Sequence, residues 1–90
     1  MSFEKKVFRS GPYADLFCQG VRIGDTLYMA GQVGTDESGT APDDLLVQMK
    51  HAYGHVRSVL VEYGGTMDNV VDETWFVTNI DDTMAKVDDL

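Results

Sequence analysis

The stretch between Asp43-Asp44 and Gly64-Gly65 constrains the fold of this chain more than any other part of it. The two aspartates oppose the positive end of a helix dipole, and the two glycines stand where a left-handed C-terminal cap is expected. Between them, apolar residues recur at the three-and-four spacing of one helical face, at Leu45, Met49, Ala52, Tyr53, Val56, Val59, Leu60 and Tyr63. A helix with such a stripe has to cover an apolar sheet, so the sequence predicts helix packed on sheet.

The strands of that sheet are expected mainly before the helix. Residues 17–23 and 26–33 favour strands, and Gly24-Asp25 between them predicts a two-residue hairpin. Glycine at the first central position favours a type II′ turn, whose twist matches the flanking strands. A shorter strand is expected around residues 6–9, and Gly31 and Gly34 interrupt the second hairpin strand.

Residues 70–78 predict one further strand after the helix, with Val71, Glu73, Trp75 and Val77 on one face. Trp75 is interpreted as a core anchor or a subunit-interface residue. A second helix is expected to start near residue 80, capped by Asp81 or Asp82, with about two turns before Leu90. This order predicts one α+β domain over residues 1–90, with an architecture that is incomplete at the C-terminus.

Charge and cysteine content exclude several classes of function. The net charge is −8, and the seven basic residues are scattered, so we expect no nucleic-acid partner. Cys18 is the single cysteine, so no internal disulfide is possible and a reducing compartment is expected. No apolar run approaches the roughly 20 residues that cross a bilayer, and the N-terminus lacks a secretory signal. The predicted location is the cytoplasm, without a membrane partner.

Several residues that are often functional have simpler structural interpretations. His51 and His55 have the i, i+4 spacing of metal ligands but lie off the apolar stripe, so we interpret them as solvated. Cys18 is interpreted as a small core residue, and Asp72 and Glu73 should point to opposite faces of a strand. Four aspartates without the pattern of a calcium loop are assigned to capping and solubility: Asp81, Asp82, Asp88 and Asp89. The sequence predicts no metal site.

Three stretches together resemble the RidA/YjgF family, also described as L-PSP endoribonucleases: Gly11-Pro12-Tyr13, residues 21–34 and residues 70–82. The resemblance implies a chorismate-mutase-like fold with a mixed sheet covered by helices on one face. It also implies a homotrimer with ligand sites between subunits. The implied activity is cofactor-independent hydrolysis of 2-enamines and 2-imines to keto acids and ammonia.

The resemblance also implies a substrate-binding set. Tyr13 matches the site tyrosine of the Gly-Pro-Tyr motif, and Gly31 and Gln32 match the Ser-Gly-Gln segment, in which Ala30 replaces the serine. The family's catalytic arginine and glutamate belong to its C-terminal third, and no arginine follows Arg57 here. A site asparagine of the second helix would fall near residues 87–88, where none occurs.

Two hypotheses follow from this comparison. One is an imine deaminase that acts on small 2-imino acids and is truncated or divergent in this form. The other is a non-catalytic member that binds a small metabolite or a protein partner in the cleft. A chorismate-mutase activity would require several converging arginines, which the three scattered arginines of this chain do not favour.

Overall fold

The computed structural model describes residues 4–90. Three short strands form an antiparallel sheet in the order β1-β2-β3, with β1 at Lys5–Phe8, β2 at Gly20–Ile23 and β3 at Thr26–Met29. One long helix, α1, spans Leu45–Glu62, and a short helix, α2, spans Ile80–Lys86 and packs beside it. Single 3₁₀ turns occupy Met67–Asn69 and Val87–Asp89. The α+β prediction is confirmed.

The hairpin between β2 and β3 has the predicted turn. Ile23 pairs with Thr26 across the loop, and Gly24 has φ +60° while Asp25 does not have a positive φ. A positive φ at the first central residue alone is the type II′ geometry. Both strands are shorter than predicted. β2 starts later because the chain before it turns, with the amides of Leu16 and Phe17 donating to the carbonyl of Tyr13.

Helix α1 begins and ends where its sequence signals indicate. The Asp44 side chain caps the N-terminus by accepting from the amide of Val47 at 3.1 Å. At the other end, Gly64 has φ +76°, and the amide of Gly65 donates to the carbonyl of Leu60 at 2.8 Å. Both predicted ends are confirmed.

The core lies where the C-terminal half of α1 covers β2. Val59 and Leu60 are 2% and 5% exposed. A Cβ at Gly20 would lie 2.9 Å from Val59 Cγ1, so a glycine in β2 lets the helix approach the sheet closely. The Tyr63 hydroxyl lies 2.7 Å from the carbonyl of Lys6 and 2.9 Å from that of Gly20, which ties the end of α1 to β1 and β2.

The structure differs from the prediction in three ways, two of them in the region after α1. Residues 70–78 belong to no ladder among the described residues, so the predicted fourth strand is wrong, and the described strands are antiparallel rather than mixed. A strand requires a neighbour for its backbone groups, and residues 4–90 place none beside this segment. Asn79, rather than Asp81 or Asp82, caps α2 by accepting from the amide of Asp82 at 3.1 Å.

None of the helices within residues 4–90 has the length and apolar character of a membrane span.

Candidate functional site

An open groove of about 960 Å³ runs between the outer edge of β3 and the segment that follows α1. One wall is β3 with the residues after it, and the opposite wall is formed by residues 69–75. The floor is the apolar face of α1, formed by Ala52, Tyr53, Val56, Leu60 and Tyr63. The helix stripe that packs on the sheet therefore also lines the groove.

Tyr53 connects the floor to the opposite wall. Its hydroxyl donates to Glu73 Oε1 at 3.0 Å, and its ring meets that of Trp75 edge to face at 5.9 Å between centroids. Burial raises the pKa of Tyr53 above its ordinary value, and the bond to the Glu73 carboxylate raises it further. At neutral pH, Tyr53 is thus a donor that holds a carboxylate at the groove.

Arg22 brings a cation to the end of the groove near the hairpin turn. Its Nε donates to the carbonyl of Gly24 at 2.8 Å, and its Nη2 lies 3.9 Å from the fully exposed carboxylate of Asp25. Arg22 is the one arginine among the groove-lining residues of the described chain. An exposed ion pair of this length contributes little to stability.

Three of the four predicted substrate-binding residues line the groove together. Ala30, Gly31 and Gln32 follow β3 directly, and the Gln32 side-chain amide donates to the carbonyl of Ala30 at 3.0 Å. A Cβ built on Gly31 would meet nothing within 4 Å. Close packing therefore does not explain the glycine here, and its backbone is open to the groove.

Tyr13, the fourth predicted residue, does not line the groove. It lies in the turn before β2, 41% exposed, with its ring stacked on Phe17 at 5.7 Å between centroids. The Arg9 guanidinium supports this turn by donating to the carbonyl of Ala14 at 2.8 Å. A single copy of the chain thus separates Tyr13 from Ala30, Gly31 and Gln32.

One histidine of α1 has a structural role that the sequence did not indicate. His55 Nε2 lies 2.6 Å from the carbonyl of Thr35, so the interpretation of His55 as a solvated residue is wrong, and both histidines are half-buried. They face the loop at residues 35–40, where the hydroxyl of Ser38 and the amide of Thr40 donate to Asp36. The Ser38 bond is the main cause that lowers the pKa of Asp36.

Other candidate residues are placed apart from the groove. Cys18 is half-buried and does not line it, and Asp81, Asp82, Asp88 and Asp89 are exposed on or after α2. Within residues 4–90, no group of three or more potential ligands is arranged to hold a metal ion.

Tyr53 and Glu73 are site residues that the sequence analysis missed. Tyr53 is part of the apolar stripe, and Glu73 was set aside because its neighbour Asp72 should face the other way. Their pairing joins residues 20 positions apart, so only a three-dimensional arrangement reveals it. The sequence did contain an indication of this pair: Tyr53 lies on the helix face that is expected to cover the sheet, and Glu73 lies in the predicted strand at residues 70–78.

A profile of the family described as Endoribonuclease L-PSP matches residues 9–90. The chain belongs to the L-PSP (RidA/YjgF) family. Among curated L-PSP relatives, the RutC family protein YjgH of Escherichia coli is 35% identical over 63 residues, which cover 70% of this chain and 48% of YjgH. A RutC family protein of Pyrococcus abyssi is 28% identical over 82 residues, covering 89% of this chain and 61% of that protein.

A solved structure of YjgH resembles this L-PSP chain in three dimensions. The TM-score is 0.66 at 34% sequence identity, and the match covers 73% of this chain and 54% of the YjgH chain. The likeness agrees with the family assignment and with the small α+β fold. This chain spans about half the length of YjgH and about three-fifths of the Pyrococcus abyssi protein.

Proposed function

We propose that this chain provides part of the substrate site of an enamine/imine deaminase that converts small 2-imino acids to 2-keto acids and ammonia. The observation that carries the proposal is the placement of Ala30, Gly31 and Gln32 in the groove. These residues occupy the positions at which the family resemblance implies the Ser-Gly-Gln part of the substrate site. The reaction adds water to the imine carbon and expels ammonia, so no cofactor is required.

Part of the groove suits the carboxylate of a small substrate, although Asp25, Asp72 and Glu73 also line it. The open backbone at Gly31 and the amide of Gln32 offer hydrogen bonds to a carboxylate, and Arg22 adds positive charge at the far end of β3. Glu73, held by Tyr53, is the carboxylate that can orient a water molecule. Tyr13 would join this site from a neighbouring subunit, which agrees with its position outside the groove of its own chain.

A competing reaction for the imine tests the proposal. An amino-acid oxidase generates the 2-imino acid from an amino acid in situ, and semicarbazide traps it, so an active chain lowers the rate of semicarbazone formation. We expect Tyr13→Phe and Gln32→Ala to reduce this effect at least about tenfold, equivalent to about 1.4 kcal/mol of transition-state stabilisation. Ser58→Ala is the matched control, because Ser58 is exposed on α1 and lies outside the groove.

The second candidate is a non-catalytic member that binds a metabolite or a protein partner in the cleft. Two observations favour it: Ala30 has no hydroxyl, and Arg22 already contacts Asp25 and the carbonyl of Gly24. Equal semicarbazone rates with and without the chain, combined with saturable calorimetric binding of a 2-keto acid, would support this candidate. They would also contradict the deaminase proposal for this chain.

RNA cleavage is not part of the proposal, although the family description names an endoribonuclease. A net charge of −8 repels a phosphate backbone, and Arg22 is the one arginine among the described groove-lining residues. We expect no cleavage of single-stranded RNA above background at low ionic strength, where attraction between protein and RNA would be strongest.

A homotrimer is the assembly that we propose for this site. Gly20 faces α1, so Val21 faces the opposite side of the sheet together with its cross-strand partners Val7 and Tyr28. Val7 is 54% exposed and Tyr28 is 63% exposed, which leaves an apolar row that an assembly can cover.

Sedimentation should give three times the mass of the chain. We expect Tyr28→Lys to dissociate the assembly and Val47→Lys, on exposed α1 surface, to leave it intact.

A further inference from the structure

The predicted substrate-binding residues that line the groove belong to a segment held at its two ends. The amide of Ala30 donates to the carbonyl of Gln19 at 3.0 Å, which ties the start of the segment to the end of β2. Within residues 4–90, the backbone of residues 31–34 forms no hydrogen bond with another backbone group. The bond from the Gln32 side chain to the carbonyl of Ala30 is internal to the segment. The position of Gly31 and Gln32 therefore depends on what holds the chain after residue 34.

Helix α1 holds the chain at this second end. His55 Nε2 lies 2.6 Å from the carbonyl oxygen of Thr35, which is 20 positions away in the sequence. A Cβ at Gly34 would lie 2.6 Å from the carbonyl oxygen of Gln48, so the backbone at Gly34 packs against the same helix. His55 and Gln48 are about two turns apart and lie on one face of α1. The contact at Gly34 is steric, whereas His55 supplies a hydrogen bond.

The partner of His55 decides which ring nitrogen carries the hydrogen. A carbonyl oxygen only accepts hydrogen bonds, so Nε2 has to be protonated and to donate to Thr35. His55 and Thr35 are both half-buried. Because a carbonyl withdrawn from water is costly without a donor, this bond defines the position of Thr35 better than an exposed contact would.

The helix that carries His55 also forms the floor of the groove. Val56, the next residue of α1, and Ala52, about one turn earlier, both line that floor. Their places relative to His55 are fixed by the hydrogen bonds of one continuous helix, Leu45–Glu62. A bond from His55 to Thr35 therefore sets the segment at residues 30–34 in register with the groove floor.

We propose that His55 is the positioning residue of the groove, whose Nε2–H holds the carbonyl of Thr35 and thereby sets the place of Gly31 and Gln32 relative to α1. His55 does not itself line the groove, so it acts through the segment. The effect on ligand binding rests on the proposed function, whereas the effect on the segment does not. When the segment is in place for only part of the time, the affinity falls by that fraction, because only the competent conformation binds.

Nitrogen-15 NMR of the unsubstituted 90-residue chain tests the hydrogen bond itself. At about pH 8, above the ordinary pKa of histidine, we expect the His55 ring as the Nε2–H tautomer. We also expect its Hε2 to exchange slowly with water, since it is bonded to Thr35. An Nδ1–H tautomer would overturn the proposal, because Nε2 could then not donate. This measurement requires no variant, so it remains decisive if a substitution prevents folding.

Substitutions of the two histidines separate the hydrogen bond from the bulk of the ring. His55→Phe keeps a planar ring without the donor, whereas His55→Gln keeps an N–H at a similar reach. We expect the backbone order parameters of residues 31–33 to fall from about 0.85 to below about 0.6 in His55→Phe, and to recover in His55→Gln. His51→Phe is the matched control, because it makes the same change at a half-buried histidine of α1 and leaves the bond to Thr35 in place.

Calorimetric titration with 2-oxobutanoate measures the consequence for the site. We expect its dissociation constant to rise about two- to tenfold in His55→Phe, the range that the loss of one hydrogen bond gives, and to recover in His55→Gln. Circular dichroism should show the same helix content in all variants.

Two further results would overturn the proposal. One is a folded His55→Phe variant whose residues 31–33 have the order parameters of the unsubstituted chain. The other is a loss of order that His55→Gln does not reverse, since the ring rather than its N–H would then be responsible. If the unsubstituted chain does not bind 2-oxobutanoate, the proposed function is contradicted, and the order parameters still decide the role of His55.

Discussion

The two sides of helix α1 differ in how completely they are packed. On the β2 side, Val59 is 2% exposed, Gly20 allows close contact, and the Tyr63 hydroxyl reaches two strand carbonyls. On the side of residues 70–78, Tyr53 is the one described residue of α1 that hydrogen-bonds to the segment, and Phe76 is 95% exposed. Similar residue types occur on both sides. The difference shows that strand-forming residues become a packed strand only where a backbone partner lies beside them.

Removing a buried side chain should give the largest effect in this comparison. We expect Leu60→Ala to lower the free energy of unfolding by about 2–5 kcal/mol, because it deletes a 5% exposed side chain and leaves a cavity. Val71→Ala, at a residue that is 98% exposed, should change it by less than about 0.5 kcal/mol. Urea denaturation followed by circular dichroism measures both. Equal losses would mean that residues 70–78 are packed in solution.

A pair of glycine substitutions should give the next largest effect. A Cβ at Gly34 would lie 2.6 Å from the carbonyl oxygen of Gln48, so Gly34→Ala should displace the loop from α1 and cost about 1–3 kcal/mol. Gly31→Ala is the control, since a Cβ there meets nothing within 4 Å. Shifts in the urea midpoint compare the two variants. A larger shift for Gly31→Ala would show that the groove wall is more closely packed than the loop contact.

Removing the hydroxyl of Tyr63 should give a smaller effect on the β2 side of α1. Tyr63→Phe removes the single hydroxyl hydrogen that the carbonyls of Lys6 and Gly20 share, and we expect a loss of about 1 kcal/mol. Hydrogen exchange of the β1 amides should become faster in the variant. Tyr28→Phe, at a residue 63% exposed, should leave both stability and exchange unchanged. Unchanged β1 exchange in Tyr63→Phe would contradict the proposed tie between α1 and β1.

The smallest expected effect is the pH dependence contributed by the loop near α1. The Ser38 hydroxyl and the Thr40 amide hold the pKa of Asp36 below its ordinary value of 3.8. A carboxyl with a lowered folded-state pKa stabilises the fold above its unfolded pKa, and this contribution is lost as the pH falls through the folded value. When the pH is lowered from about 5 to about 3, a range that extends about one pH unit to either side of the ordinary Asp pKa, the unsubstituted chain loses this contribution. The urea midpoint of Asp36→Asn should therefore fall less over this range than that of the unsubstituted chain. Parallel curves would show that Asp36 is not bonded in solution.

The sequence alone determined the features that depend on neighbouring residues. The II′ turn at Gly24, the cap at Asp44 and the helix end at Gly64 are set by the local backbone preferences of these residues. The apolar stripe of α1 likewise predicted which face covers the sheet. For the site, the motif after β3 predicted Ala30, Gly31 and Gln32, and the structure places these three in one groove.

The tertiary structure decided what depends on distant partners. Residues 70–78 have the composition of a strand, but their pairing requires another backbone that local sequence does not specify. The bond between Tyr53 and Glu73, the contact of His55 with the carbonyl of Thr35, and the separation of Tyr13 from the groove all involve residues far apart in the chain or on different elements. Their physical reason is the same: hydrogen bonds and close packing depend on which surfaces the fold brings together, and residue order carries that information only indirectly.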